Sequence, residues 1–241
     1  MPFIKACLNG GRTKAHSGAV PVTPAEVARD AAEAVEAGAD AVHVHVRGED
    51  GEQSLAASDV AATLLAVRGA VGVPVGVTTG AWIVSGDARL ELVREWTELP
   101  DFASVNFSED GAEELAGVLR SRGVGVEAGL WTASDAARLV ESGLAVDCVR
   151  LLFEPMDEDL EAAREVVRGM ESALEGVAPE VPRLLHGRRN TTWPLFLDAV
   201  RAGYQTRIGF EDTLTVANQA AAESNRDLVA VAVKLAERLG K

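Results

Sequence analysis

Eight short apolar runs, each followed by a stretch of helical periodicity, constrain this chain more than any other feature of its 241 residues. The runs are Phe3–Leu8, Ala41–Val46, Val73–Thr78, Phe102–Asn106, Val124–Glu127, Val146–Leu151, Arg183–Leu185 and Tyr204–Gly209. Strands that alternate with helices pair in parallel, because each return crossing needs a helix's length of chain. Eight such units predict an α/β fold of the (β/α)8 TIM-barrel type. A doubly wound sheet, which usually has fewer repeats, is the alternative. Hydrophobic residues make up 47% of the chain and aromatics only 5%. The core must therefore be built from Ala, Val and Leu, which suit strands buried on both faces. No linker or shift in composition interrupts the alternation, so residues 1–241 read as a single catalytic barrel domain.

Local signals agree with this frame. Thr23-Pro24-Ala25-Glu26 is a capping box with proline at the first helical position. Val27, Ala31 and Val35 then recur along one helical face, and Gly38 ends the helix before the second strand. Thr132 to Asp135 is a weaker cap, and Ser224 to Asp227 opens the last helix. The long connections Asn9–Val22 and Asp212–Ser224 both follow strands, which in a barrel is the catalytic face.

Thirty-seven acidic residues against 23 basic ones give a net charge of −14. That balance speaks against nucleic acid or an anionic membrane as partner, since both need basic patches. Cys7 and Cys148 are too few for a disulfide framework and read as small buried hydrophobes. No signal peptide or membrane span is evident, so a cytoplasmic location is expected.

The sharpest chemical feature is His43-Val44-His45-Val46-Arg47. Residues two apart on a strand share a face, so His43 and His45 project together. Paired imidazoles suit zinc and other first-row divalent ions; a hydrogen-bonded core pair is the plainer reading. Two histidines leave a metal short of ligands. The best completion is Arg207-Ile208-Gly209-Phe210-Glu211-Asp212, where Arg207, Gly209 and Glu211 share one face and Glu211 is the candidate third ligand. Asp212 beside it can act as base or orient the reacting group, or merely cap a helix.

Glu127 is expected to end the fifth strand and face the barrel mouth, where a carboxylate has a shifted pKa. Thr78, Ser104 and Asn106 close the third and fourth strands and offer hydroxyls and an amide to a substrate carboxylate or carbonyl. Two basic loops, Gly10–His16 and His186–Asn190, stand out in so acidic a chain. They read as phosphate contacts or as solvated surface. His16 and His186 are candidate proton carriers or plain polar loop residues.

Pro21-Val22-Thr23-Pro24-Ala25-Glu26, Ala37-Gly38-Ala39-Asp40 running into HVHVR, and RIGFED at 207–212 together resemble the β-keto acid cleavage enzymes. The 3-keto-5-aminohexanoate cleavage enzyme of lysine fermentation typifies that family. The resemblance spans nearly the whole chain in consistent order. It implies a zinc-dependent barrel that reacts a β-keto acid with acetyl-CoA to give acetoacetate and a new acyl-CoA. On this chain His43, His45 and Glu211 match the zinc ligands, and Asp212 and Arg207 match the catalytic acid/base pair. Glu127 matches the active-site glutamate, and Thr78 and Ser104 match substrate-holding hydroxyls. Barrels of this kind often associate, so a homo-oligomer is expected. The same residues leave two rivals open: a metal-dependent barrel lyase or hydrolase that needs no CoA, and a barrel that only binds a metabolite.

Overall fold

The computed structural model describes residues 1–239. Strands β1 (Ile4–Cys7), β2 (Ala41–Val44), β3 (Val75–Thr78), β4 (Phe102–Asn106), β5 (Gly125–Leu130), β6 (Arg150–Phe153), β7 (Arg183–Leu185) and β8 (Thr206–Ile208) form one parallel sheet. Its order is β7-β6-β5-β4-β3-β2-β1-β8. The β7–β8 seam is closed by a parallel bridge between Leu184 and Gln205, so the sheet is a barrel. Eight helices surround it: α1 (Pro24–Glu36), α2 (Ala57–Arg68), α3 (Asp87–Glu95), α4 (Ala112–Ser121), α5 (Ala133–Ser142), α6 (Leu160–Ala173), α7 (Thr192–Ala202) and α8 (Asn225–Leu239). The (β/α)8 fold expected from the alternation is the fold observed. Among the described residues no helix is long and apolar enough to cross a membrane.

Strand parity divides the residues into two populations. Ile4, Ala6, Val42, Val44, Val75, Val77, Ala103, Val105, Val126, Ala128, Leu151 and Ile208 belong to one hydrophobic cluster with helix residues such as Val27, Ala31, Leu64, Leu115 and Leu228. Fully burying a valine or leucine in such a layer stabilises the fold by about 1.5–3 kcal/mol. The alternate positions, including Lys5, Cys7, His43, Glu127, Arg150 and Arg207, are buried but lie outside that cluster. They fill the barrel interior, and it is strongly polar.

The caps form as the sequence predicts. Thr23 and Glu26 make a reciprocal capping box on α1, and the weaker signal at Thr132 proves a full box with Asp135 on α5. The sixth strand is displaced from the apolar run. Gly143 ends α5 in the left-handed conformation, Leu144–Asp147 coil into a 3-10 turn, and β6 starts only at Arg150. Val146 and Val149 are consequently exposed. The fifth strand runs three residues past Glu127 to Leu130, paired with β4 as far as Gly129 and with β6 from Glu127 to Leu130.

Asn225 ties the barrel's first and last strands to the helical layer. Its side chain donates to the Leu8 carbonyl (2.8 Å) and to Asp30 of α1 (2.6 Å), and accepts from the Phe210 amide (2.7 Å). It therefore fixes the chain on both sides of the long connections that carry Asn9 and Glu211. Burial pushes the Asp30 carboxyl up to about 7, against the opposing pull of the Asn225 hydrogen bond.

Candidate active site

A cavity of about 270 Å³ opens at the C-terminal ends of the strands, where barrel enzymes carry their chemistry. Its wall includes His43, His45, Glu211, Asp212, Arg207, Thr78, Ser104 and Asn106. Of the nine site residues expected from the sequence, the structure gathers these eight around one space.

His43 lies in β2, and His45 sits just beyond the strand's end. Asn9, fully buried after β1, grips the His45 backbone from both sides. Its Oδ1 accepts from the His45 amide (2.8 Å) and its Nδ2 donates to the His45 carbonyl (3.0 Å). Arg47, the last member of the HxHxR motif, donates to the carbonyls of Gly10 (2.6 Å) and Arg12 (2.8 Å) and so holds the loop after β1. Gly10 has φ +55°, and a Cβ there would overlap the Glu211 side chain.

Glu211 Oε2 lies 3.5 Å from His45 Nε2 and 3.8 Å from His43 Nε2. Those separations exceed a good hydrogen bond. They are close to the roughly 3.4 Å between two ligands of a tetrahedral ion with bonds near 2.1 Å. Glu211 Oε1 takes a hydrogen bond from Arg207 (3.0 Å), whereas Oε2 is buried with no hydrogen-bond partner among the described residues. His43, His45 and Glu211 each offer a ligand atom within 4.8 Å of the others. Burial, opposed by Glu211, pushes the His43 imidazole down to about 3, so it is neutral with a lone pair to give. Burial works to raise the Glu211 carboxyl, but Arg207, His45 and His43 outweigh it and hold it well below the usual range. Two imidazole nitrogens and a carboxylate with one free oxygen form a donor set that fits a divalent cation.

Asp212 is buried beside this triad. Its Oδ1 accepts from Arg207 Nη2 (2.8 Å) and Nε (3.1 Å), while Oδ2 is buried with no hydrogen-bond partner among the described residues. Arg207 also reaches Glu154 at 3.5 Å, so one guanidinium serves three carboxylates. This local excess of negative charge is a second reason the site suits a cation. His186, expected on a polar loop, is instead buried at the end of β7. It stands 3.5 Å from Asp212 Oδ1 and 3.7 Å from Glu154 Oε1. Burial and Arg207 work to lower its pKa, but Glu154 and Asp212 prevail and raise it.

Glu127 is the exception among the expected residues. It does not face the mouth and does not line the cavity. Because β5 continues to Leu130, Glu127 lies deeper in the barrel, fully buried and paired with Lys5 and Arg150. Its carboxyl is held down at about 2; burial opposes this, and Lys5 and Arg150 overcome it.

The basic loops divide. Lys14 pairs with Glu26 (2.9 Å) and Arg189 with Glu158 (2.6 Å). Arg188 lines the cavity with no carboxylate in ion-pair range among the described residues, and Arg12 donates to the Asp212 carbonyl (3.4 Å). His16 stays exposed, bonded within its own loop. Sequence reasoning missed Asn9, Gln53, Trp82, Trp131 and Glu154. The one signal for Gln53 is the Gly48-Glu49-Asp50-Gly51 turn, which folds Gln53 back to bridge Arg47 beside the histidine strand.

Comparison with known proteins identifies the family. The family model for the beta-keto acid cleavage enzyme matches residues 2–241. The chain is 28% identical to the 3-keto-5-aminohexanoate cleavage enzyme of Fusobacterium nucleatum, over 99% of this chain and 92% of that one. It is 26% identical to the 3-oxoadipate:acetyl-CoA acetyltransferase of Cupriavidus necator, over 92% of this chain and 84% of that one. Among solved structures, a ternary complex of ObcA with C4-CoA adduct and oxalate superposes with a TM-score of 0.73 at 16% identity, covering 93% of this chain and 64% of that longer one. The 3-dehydroquinate dehydratase of Geobacillus kaustophilus superposes at 0.62 with 14% identity, covering 100% and 93%; at such identities these two likenesses speak for the fold alone. A match across essentially the full length, over a barrel whose strand ends converge on two histidines, a glutamate and an Arg–Asp pair, makes this chain a member of the β-keto acid cleavage enzyme family.

Proposed function

We propose that this barrel is a zinc-dependent enzyme that condenses a β-keto acid with acetyl-CoA, releasing acetoacetate and a new acyl-CoA. The observation that carries the reading is Glu211 Oε2, a buried and unpartnered carboxylate oxygen facing two imidazoles beside the Arg207–Asp212 pair. The name of the Cupriavidus relative supports acetyl-CoA as co-substrate.

His43, His45 and Glu211 hold the ion, and the chemistry a divalent ion supplies is polarisation of a ketone, which acidifies the carbon beside it. Asp212 takes the proton from that carbon. Oδ2 is the atom that does so, because Arg207 fixes Oδ1 through two hydrogen bonds and leaves Oδ2 free. The carbanion attacks the acetyl thioester and expels CoA thiolate. The thiolate adds to the original ketone, the carbon–carbon bond breaks, and Asp212 returns its proton to acetoacetate. Thr78, Ser104 and Asn106 on the facing wall hold the substrate's carboxylate. Arg188 in the cavity wall and Arg12 beside Asp212 supply positive charge suited to the CoA phosphates. Glu127 belongs to the barrel's buried scaffold and acts on the substrate only through it.

The test is metal content, by mass spectrometry on protein purified without added metal, beside a His45→Ala control. One zinc per chain, lost in the control, supports the site, and turnover of a β-keto acid that requires acetyl-CoA completes the case. Folded protein that takes up no metal even on reconstitution, or turnover indifferent to acetyl-CoA, defeats the proposal.

A further inference from the structure

The histidine whose geometry is most fully determined is His45, and what determines it lies outside the expected constellation. Its Nδ1 stands 2.7 Å from the Oε1 of Gln53. The same Oε1 lies 3.2 Å from the indole Nε1 of Trp82. An indole N–H can only donate. The Gln53 atom that faces it must therefore be the carbonyl oxygen and not the amide nitrogen. That oxygen can only accept, so Nδ1 of His45 must carry the hydrogen in the neutral ring. The lone pair is then left on Nε2, the nitrogen that faces Glu211. Trp82 also lies nearly parallel to the imidazole, with ring centroids 6.1 Å apart and planes 22° apart, which limits the ring's tilt. Among the described residues His43 has no such support: its Nδ1 is buried without a hydrogen-bond partner.

We infer that Gln53 and Trp82 are positioning residues for the metal, which set the tautomer of His45 through the sequence Trp82 N–H to Gln53 carbonyl to His45 Nδ1. This rests on the reading of His43, His45 and Glu211 as a metal site. A hydrogen bond to the far nitrogen of a ligating histidine fixes its orientation and raises its basicity, and losing such a partner typically weakens metal binding about 10- to 100-fold. Trp82 sits at the mouth of the cavity, half exposed, so this support links the ion's affinity to the conformation of the loop between β3 and α3.

The experiment uses the full chain stripped of metal and titrated with zinc against a chromophoric chelator, with cobalt absorption as a report of coordination geometry. Gln53→Ala and the volume-conserving Gln53→Met are expected to weaken zinc about 10- to 100-fold and to alter the cobalt spectrum. Gln53→Glu restores an acceptor and is expected to return affinity to within about tenfold of the unmodified protein. Trp82→Phe keeps the stacking ring but frees the amide to turn over, and its loss is expected to fall between these. Thermal unfolding of each variant separates misfolding from lost affinity, and Gln53→Met carries the test should Gln53→Ala not fold. If Gln53→Met and Trp82→Phe bind zinc as tightly as the unmodified protein with the same cobalt spectrum, the inference fails while the metal site stands. If the unmodified protein binds neither ion, both fail.

Discussion

The barrel buries two charged networks, and they differ in kind. The lower one joins Lys5, Glu127 and Arg150, with Gln205 taking Arg150 Nε and the rings of Phe3 and Phe102 against the cations. None of its charged atoms is both buried and unpartnered among the described residues. The upper one joins Arg207, Glu211, Asp212, Glu154 and His186, and it leaves Glu211 Oε2, Asp212 Oδ2 and His186 Nε2 without partners. Saturation is what a scaffold needs, because an unpaired buried charge is costly. Unmet valence in an equally buried setting is what a site keeps ready for an ion or a substrate. Burial and a displaced pKa are common to both networks and do not tell them apart; the count of unsatisfied atoms does.

The largest effect that can break this contrast is on turnover. Asp212→Asn is expected to lower kcat about 100- to 10,000-fold with little change in thermal stability. A variant that unfolds instead would move Asp212 into the scaffold. Glu127→Ala should do the reverse, stranding Lys5 and Arg150 and destabilising the fold by about 3–5 kcal/mol in denaturant titration. Full stability with lost turnover would restore Glu127 to the catalytic group.

A smaller effect tests whether a buried acid outside both networks behaves as its surroundings dictate. The folded Asp30 carboxyl sits at about 7, above its unfolded value. The folded chain thus holds a proton that the unfolded chain has released, and stability falls as pH rises from about 4 to about 7. Asp30→Asn keeps an acceptor for Asn225 and removes the ionisation. Its stability relative to the unmodified protein should rise by about 2 kcal/mol between about pH 5 and about pH 8. A pH-independent difference would contradict the assignment. The smallest expected effect is Thr132→Ala, which removes the α5 cap remote from both networks and should cost about 1 kcal/mol without touching metal content or turnover.

Parity made His43 and His45 legible on the second strand and Arg207 and Glu211 on the eighth, because a period of two survives uncertainty in where a strand ends, whereas Asp212 was legible only as the neighbour of Glu211, in the turn that follows β8. Glu127 was misplaced for the opposite reason. Its depth depends on the strand's end, and Ala128 and Gly129 look like a turn in isolation. Gly129 is small because Asn106 of β4 packs where its Cβ would be, which no pattern within β5 reveals. Gln53 and His186 were hidden in loops, where side-chain direction follows from tertiary contacts with no period to read. The start of β6 failed because the apolar residues of a 3-10 turn look like those of a strand.

Gly10 imposes a last condition on the site. Its backbone occupies the ground beside Glu211 so closely that the carboxylate's aim is defined by an atom the residue does not have. The loop after β1 therefore works as a mould for the candidate anionic ligand, and Arg47, in the segment that follows β2, holds that mould in place through the Gly10 carbonyl. Alanine at position 10, though no larger than a methyl and chemically inert, would be read by the protein as a change of ligand orientation.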